Sequence, residues 1–354
     1  MTEIPERLPP LSLTPGPRRA DPLPDDRPVG WGILATGKIA SSFATNLALL
    51  PECRLAAVGA RRLESAQSFA ASHGVESAYG DYRAVAEDPA VDVVYVATPH
   101  ALHEEHVRLA FEAGKPVLCE KALTLDAASA TRLVTEANER GLFFMEAMWM
   151  RCIPMIRRVR ELVGSGVLGE VRQVRADLGW RVEVPPTDRL LDPALGGGAL
   201  LDMGVYVLTF AQLFLGEPST VRAAASLSEA GVDLDVALAL GYPTGAVASL
   251  TTTMTAVSPR SASIATDLGR MDIEAPFHHP TRVTWTGEDE AQVRTLEAPL
   301  IGTGLAHEAH EVVRCLRNGE TESPLVPLAD TVATLRLIDR IRAEIGVSYA
   351  VSSD

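Results

Sequence analysis

Val29-Gly30-Trp31-Gly32-Ile33-Leu34-Ala35-Thr36-Gly37-Lys38-Ile39-Ala40 is the stretch that decides the fold. Its first six residues read as a short buried strand, and Lys38 to Leu50 reads as the helix that follows. A strand that passes through a glycine turn straight into a helix opens a βαβ unit. The turn occupies the position of the dinucleotide fingerprint G-x-G-x-x-G/A, with Ala35 at the first glycine, Gly37 at the second and Ala40 at the third. The middle glycine lets the backbone approach a pyrophosphate, and it is present. A helix starting at Lys38 aims free N–H groups and the positive end of its dipole at the same phosphates. Ala35, Thr36, Gly37, Lys38 and Ile39 are therefore candidate cofactor contacts.

The same rhythm repeats downstream. Leu55–Ala60 is a second apolar run followed by the helix Leu63–His73, and Val91–Ala97 a third followed by Ala101–Gly114. Val117–Cys119, the helix Asp126–Arg140 and the run Leu142–Ala147 continue it. Such alternation predicts a doubly wound parallel α/β domain. The second strand ends Val58-Gly59-Ala60-Arg61-Arg62, with no acid until Glu64. A carboxylate here would hold ribose hydroxyls and repel a 2′-phosphate, whereas a guanidinium binds that phosphate with charge-assisted hydrogen bonds. The pattern favours NADP(H) over NAD(H), with Arg61 the leading contact and Arg62 the second; two solvated arginines at a helix start are the plain alternative. In Gly114-Lys115-Pro116-Val117-Leu118-Cys119-Glu120-Lys121, two charges follow a core strand. Ligands of open α/β sheets bind beyond the carboxyl ends of the strands. Lys121 falls there, although a surface lysine is an equal reading of this stretch alone.

After about Met150 the pattern changes. Pro154–Gly164 reads as a helix, Val171–Leu178 as a strand and Ala199–Phe214 as a long apolar helix. Thr220–Glu297 holds several strand-like runs with hairpin loops at Gly241–Gly245 and Gly287–Glu290. Tight loops make antiparallel pairs. Two helices, Leu305–Asn318 and Leu328–Ile345, close the chain. The expected division is a proline-rich arm over 1–28, a dinucleotide-binding domain over 29–150, and an α+β domain over 151–354 built on a mostly antiparallel open sheet. The arm holds 8 of the 24 prolines and lacks the apolar core of a signal peptide. Asp202 is the only charge of the apolar helix, and Tyr206 shares its face four residues on. A buried carboxylate needs a cation or several donors, so this pair is either a site or a core Asp–Tyr bond. The glycines Gly196-Gly197-Gly198 before it allow an unusual turn or the close approach of a ligand.

Bulk properties narrow the classes. The chain has 354 residues, 47% hydrophobic and 22% charged, with a net charge of −14. That balance argues against nucleic acid or an anionic membrane as partner. No apolar run is read as long enough to span a bilayer. Cys53, Cys119, Cys152 and Cys315 show no paired spacing, as expected of free thiols in a reducing, cytoplasmic setting. His100, His103 and His106 have a suggestive spacing, but no thiolate or carboxylate set completes a metal site, and none is expected. His307-Glu308-Ala309-His310 is not HExxH and reads as an exposed helix face.

Three of these segments, in this order, carry a resemblance. Val94-Tyr95-Val96-Ala97-Thr98-Pro99-His100-Ala101-Leu102-His103 is similar to the segment that lies along the nicotinamide in the glucose–fructose oxidoreductase/inositol dehydrogenase (Gfo/Idh/MocA) family. Gly114–Lys121 resembles that family's GKxVxxEKP motif, and Gly196–Tyr206 its GGGxxxDxGxH/Y motif. Glu146-Ala147-Met148-Trp149-Met150-Arg151, with Pro154, resembles the branch of dimeric dihydrodiol dehydrogenases and sugar ketoreductases. Ala122 departs from the proline of EKP, which helps set the backbone behind the lysine; Tyr206 replaces the histidine of inositol dehydrogenases. The resemblance implies hydride transfer between a nicotinamide and a carbinol or carbonyl carbon, with Lys121, Tyr206 and Asp202 catalytic. It carries cofactor contact to Thr98, Pro99, His103, Glu120 and Lys121. It favours a sugar, keto-sugar or cyclic diol as the small-molecule substrate, with Trp149, Arg151, Trp180 and Arg181 as pocket candidates. A homo-oligomer, dimer or tetramer, is expected, and an apolar exposed sheet face would favour a dimer. The competing functions are a glycosidase that uses nicotinamide transiently and a non-catalytic dinucleotide-sensing regulator. Lys121, Asp202 and Tyr206 together favour an enzyme.

Overall fold

The structure is a computed structural model that describes residues 22–349; the arm expected over 1–28 lies outside the described residues except for its end. The chain forms two compact units. The first runs to Cys152 and contains β1 (Val29–Leu34), β2 (Cys53–Gly59), β3 (Ser77–Tyr79), β4 (Val93–Val96), β5 (Val117–Cys119) and β6 (Phe144–Glu146). They form one parallel sheet in the order β3-β2-β1-β4-β5-β6. Helices α1 (Lys38–Leu47), α2 (Leu63–His73), α3 (Tyr82–Glu87), α4 (His103–Glu112) and α5 (Ala127–Arg140) make the crossovers. β1, β4, β5 and β6 are buried at every residue, because helices cover both faces of a parallel sheet. That is why they read as continuous apolar runs. α5 starts on Asp126, whose carboxylate accepts the Ser129 N–H at 2.8 Å, and stops at Gly141 in the left-handed conformation.

In the second unit, α6 (Pro154–Gly164) and α7 (Val205–Leu215) accompany eight strands: β7 (Val171–Gly179), β8 (Thr220–Leu227), β9 (Asp233–Gly241), β10 (Val247–Thr253), β11 (Ala262–Thr266), β12 (Gly269–Ile273), β13 (Arg282–Gly287) and β14 (Val293–Glu297). Their order is β14-β13-β12-β11-β7-β10-β9-β8, antiparallel except where β7 and β10 run parallel. Burial alternates along β9 and β10, so this sheet has one covered and one open face. α7 packs on β7 and β10, over Val174, Leu178 and Leu250. The open face presents Arg175, Asp177, Ser249, Thr251 and Ser263. It is therefore polar on its central strands, not the apolar face that would favour a dimer.

One expectation needs correcting. The segment Pro193–Leu215, 23 residues, is long and apolar enough to cross a membrane by length and composition. Its most apolar window is 78% buried within the protein, which is what a core helix shows. The domain limits also differ from a single boundary near residue 150. After the second unit's strands, α8 (Ala306–Arg317) and the loop after it, Ile301–Val332 in all, cluster with the first unit. α9 (Leu328–Ile345) then carries the chain back into the second. None of the four cysteines is in a disulfide; Cys53 is half-buried and the others are buried.

Candidate active site

The turn between β1 and α1 has the open geometry that an anion needs. Gly37 is the N-cap of α1, no side chain caps it, and no acid lies in the first turn. The first N–H groups of a helix have no partner within it. A Cβ built on Gly37 would meet nothing within 4 Å, so the space in front of those groups is clear. Ala35, in place of the fingerprint's first glycine, adopts φ +90. The tight turn is thus kept at the cost of a conformation that a side chain disfavours. At the end of β2, Arg61 and Arg62 are both exposed. Arg62 reaches Ser65 at 3.3 Å, and Arg61 forms no ion pair among the described residues. These residues fit a phosphorylated dinucleotide: free N–H groups, room before them, and two guanidiniums at the next strand end.

Lys121 follows β5, and its backbone is held from several sides. His100 Nε2 lies 3.1 Å from the Lys121 carbonyl. His103 places Nδ1 3.1 Å and 3.2 Å from the Ala122 and Leu123 carbonyls, and Nε2 2.8 Å from that of Thr98. Burial pushes the His103 ring down to about 3, against the opposite pull of its contacts to the three carbonyls. The Lys121 N–H donates to Glu120 and the Leu123 N–H to Glu146, at 3.2 Å and 3.1 Å. The Lys121–Ala122 peptide is cis. Where the family motif has proline, this chain surrounds alanine with imidazole and carboxylate contacts to the neighbouring backbone.

His103 accordingly differs from its expected role. It is fully buried with both nitrogens turned to carbonyls, so it braces the loop and offers no edge to a cofactor. Thr98 is buried, with its hydroxyl 3.0 Å from His106 Nδ1, and Pro99 opens the short turn into α4. Glu120 is nearly buried and accepts the Tyr95 hydroxyl. Close behind lies a correction: Glu308, read as part of an exposed face, is fully buried on α8 with neither carboxylate oxygen hydrogen-bonded. Burial, and then the charge of Glu120, raise its carboxyl well above the usual range.

In the second unit, Asp202 and Tyr206 are 8% and 6% exposed. Residues Leu200–Gly204 form a π-helical turn that runs into α7, a widening common at functional sites. The cation that Asp202 needed is present within the unit: Arg189 Nη1 stands 3.7 Å away. Sequence reasoning missed it, because nothing in Thr187-Asp188-Arg189-Leu190 points to a helix that starts ten residues later. It also missed His278, whose ring lies 5.0 Å from the Tyr206 ring. The signal available was the local sequence Pro276-Phe277-His278-His279-Pro280, a stiff loop carrying two imidazoles.

The pocket candidates separate. Arg151 is buried with its guanidinium on the Leu325 carbonyl at 2.7 Å and on Asp330 at 2.6 Å, so it is committed to structure and not to a ligand. Arg181 pairs with Glu183 at 2.9 Å, both highly exposed. Trp149 is half-buried in the first unit, and Trp180 is 40% exposed in the second.

With this geometry in view, known proteins can be compared. Residues 29–148 match a family described as "Oxidoreductase family, NAD-binding Rossmann fold", and residues 156–272 match "GFO/IDH/MocA C-terminal domain". The chain is 37% identical over 329 residues to trans-1,2-dihydrobenzene-1,2-diol dehydrogenase of Sus scrofa, covering 90% of this chain and 97% of that one. It is 36% identical over 334 residues to the Homo sapiens enzyme of the same name, with the same coverage. Among solved structures it resembles KijD10, a 3-ketoreductase from Actinomadura kijaniata in complex with NADP and TDP-benzene. The identity there is 29%, the TM-score 0.79, and the coverage 90% of this chain and 98% of that one. An aldose-aldose oxidoreductase from Caulobacter crescentus complexed with glycerol is 25% identical, with a TM-score of 0.81 and coverage of 90% and 97%.

Proposed function

The chain belongs to the Gfo/Idh/MocA family of NAD(P)-binding oxidoreductases, and from that premise we propose that it transfers hydride between NADP(H) and a carbinol or carbonyl carbon of a sugar, keto-sugar or cyclic diol. The observation that carries the cofactor choice is the end of β2, which is followed by two exposed guanidiniums before the first carboxylate, Glu64 in the first turn of α2. The KijD10 structure contains NADP, which supports the same choice. The substrate class rests on what the relatives are named for: a dihydrodiol, a 3-keto group and aldoses. A bound nicotinamide supplies or takes up hydride at C4. The protein's own task is then the proton and the alignment. Tyr206 gives a proton to the developing alkoxide in reduction and takes one in oxidation. A free phenol has a pKa of about 10, and a neighbouring ammonium lowers it toward working pH. Lys121 is assigned that role, with a second one as donor to the substrate hydroxyl. Asp202, anchored by Arg189, orients the reacting group.

Two measurements test this. NADPH should exceed NADH in kcat/KM, and Arg61→Ala should cost NADPH about 10–100-fold while leaving NADH nearly unchanged, the range for lost charge-assisted hydrogen bonds. A clear NADH preference in the unaltered enzyme sinks the cofactor assignment. Tyr206→Phe and Lys121→Met should each lower kcat by about 10²-fold or more, the scale of general acid–base catalysis, with NADPH binding retained. Near-normal turnover in either variant refutes the catalytic scheme. Net NADPH consumption in these assays also separates a reductase from a glycosidase, which consumes none.

A further inference from the structure

Gly197 and Gly198, just before α7, meet two residues far away in sequence. Asp233, the first residue of β9, is fully buried and accepts the Leu200 N–H at 2.6 Å. The residue at the N-cap of the π-helical turn is Ala199, which has no side-chain acceptor of its own to offer the first N–H groups. Asp233 is the acceptor they would otherwise lack. Gly198, at φ +129, lies directly against it: a Cβ there would stand 2.3 Å from Asp233 Oδ1 and 3.1 Å from the Tyr349 hydroxyl. Tyr349, beyond the end of α9, donates that hydroxyl to the Gly197 carbonyl at 2.6 Å. Its ring is in turn covered by the Arg342 guanidinium, 4.1 Å from the centroid. The next link leads to the site: the Asp202 N–H bonds the Gly198 carbonyl at 3.2 Å, and the Gly198 N–H bonds the carbonyl of Leu190, next to Arg189, at 3.0 Å.

We infer that Asp233 and Tyr349 are positioning residues that clamp the glycine turn and thereby fix Asp202 and Tyr206 for the reaction, an inference that rests on the hydride-transfer reading above. Neither touches the reacting groups by the bonds described. Their effect passes through Gly197, Gly198 and Leu200 into the start of α7. Burial pushes the Asp233 carboxyl up to about 6, against the pull of the Leu200 N–H and the Arg342 charge. What the turn requires is an acceptor of that shape, which an asparagine also provides.

The test uses the full-length enzyme, NADP⁺ and trans-1,2-dihydrobenzene-1,2-diol, with Tyr349→Phe, Asp233→Ala and Asp233→Asn. Tyr349→Phe should lower kcat about 5–10-fold and leave KM for NADP⁺ within about twofold, the scale of one hydrogen bond. Asp233→Ala should lower kcat about tenfold or more, and Asp233→Asn should recover most of the loss. Amide hydrogen exchange should quicken over 199–206 in Tyr349→Phe and Asp233→Ala, and not elsewhere. Wild-type kcat and exchange in both variants overturn the clamp; so does a fall in kcat matched by a rise in KM for NADP⁺. If Asp233→Ala does not fold, Tyr349→Phe decides. Full turnover in Tyr206→Phe overturns the hydride-transfer scheme instead, and so would a wild type without turnover on this diol challenge the substrate reading; the exchange rates then decide the clamp alone.

Discussion

Glu308 is a carboxyl with neither oxygen bonded, at zero exposure, beside a second carboxyl. Left ionised it would cost several kcal/mol, so the fold keeps it protonated. The sign of the consequence follows from that raised pKa. The folded chain holds a proton that the unfolded chain releases above about 4.3, the ordinary glutamate value. The stability tied to Glu308 is complete below that pH and drains as pH rises through the folded value, at up to about 1.4 kcal/mol per pH unit. Glu308→Gln keeps the shape and has no proton to lose. Its thermal midpoint, compared with that of the wild type between pH 5 and 9, should gain steadily as pH rises. Parallel curves for the two proteins would show that Glu308 is already ionised. Ala35 shows a milder strain of the same kind, a side chain at φ +90 in a turn where glycine costs less, retained in front of the site it shapes.

At the scale of elements, the legible parts were those whose physics is local. β1, β5, α2, α6 and α9 begin and end where pattern and turn residues placed them, because a doubly covered strand reads as an apolar run and a helix carries its own stop signals. β3 and α3 went unread: three half-buried residues and a six-residue helix leave too little periodicity to register. The helix expected over Ala101–Gly114 starts instead with a 3-10 turn, His100–Leu102, and His100 of that turn bonds the Lys121 loop together with His103 at the start of α4. Its partners lie about twenty residues away in sequence, so no local rule could anticipate them. The same limit hid most of the site. Lys121, Asp202 and Tyr206 could be proposed as candidates from the motifs around them, whereas the contacts of Arg189, His278, Asp233 and Tyr349 exist only in the tertiary fold. Glu308 misled for a related reason: a charge in a helix is placed on the wet face by default, and only burial of α8 shows otherwise.

The chain as a whole does not divide at one point, and this has a consequence for any attempt to cut it. β6 is the edge strand of the parallel sheet, and its Phe144 N–H is satisfied by the Thr321 carbonyl at 3.0 Å. Glu146, fully enclosed, relies on the Thr331 hydroxyl at 2.9 Å, and Arg151 on Leu325 and Asp330. Asn46 on α1 meets Thr303 through both its amide nitrogen and its oxygen, each at 2.9 Å. Every one of those partners lies in Ile301–Val332, the segment that returns to the first unit. A fragment ending at Cys152 would keep the whole nucleotide-binding pattern and lose all of these bonds. Each buried polar group left unpaired costs about 1–3 kcal/mol, and a domain has only about 5–15 kcal/mol to lose. That fragment should therefore melt without a cooperative transition and should bind NADPH weakly. Joining residues 301–332 to it through a flexible Gly/Ser linker should restore both the transition, followed by circular dichroism, and NADPH binding, followed by fluorescence. A sharp transition in the short fragment would mean that the edge strand and its buried charges stand without the returning segment, and that one boundary near residue 150 describes the folding unit after all.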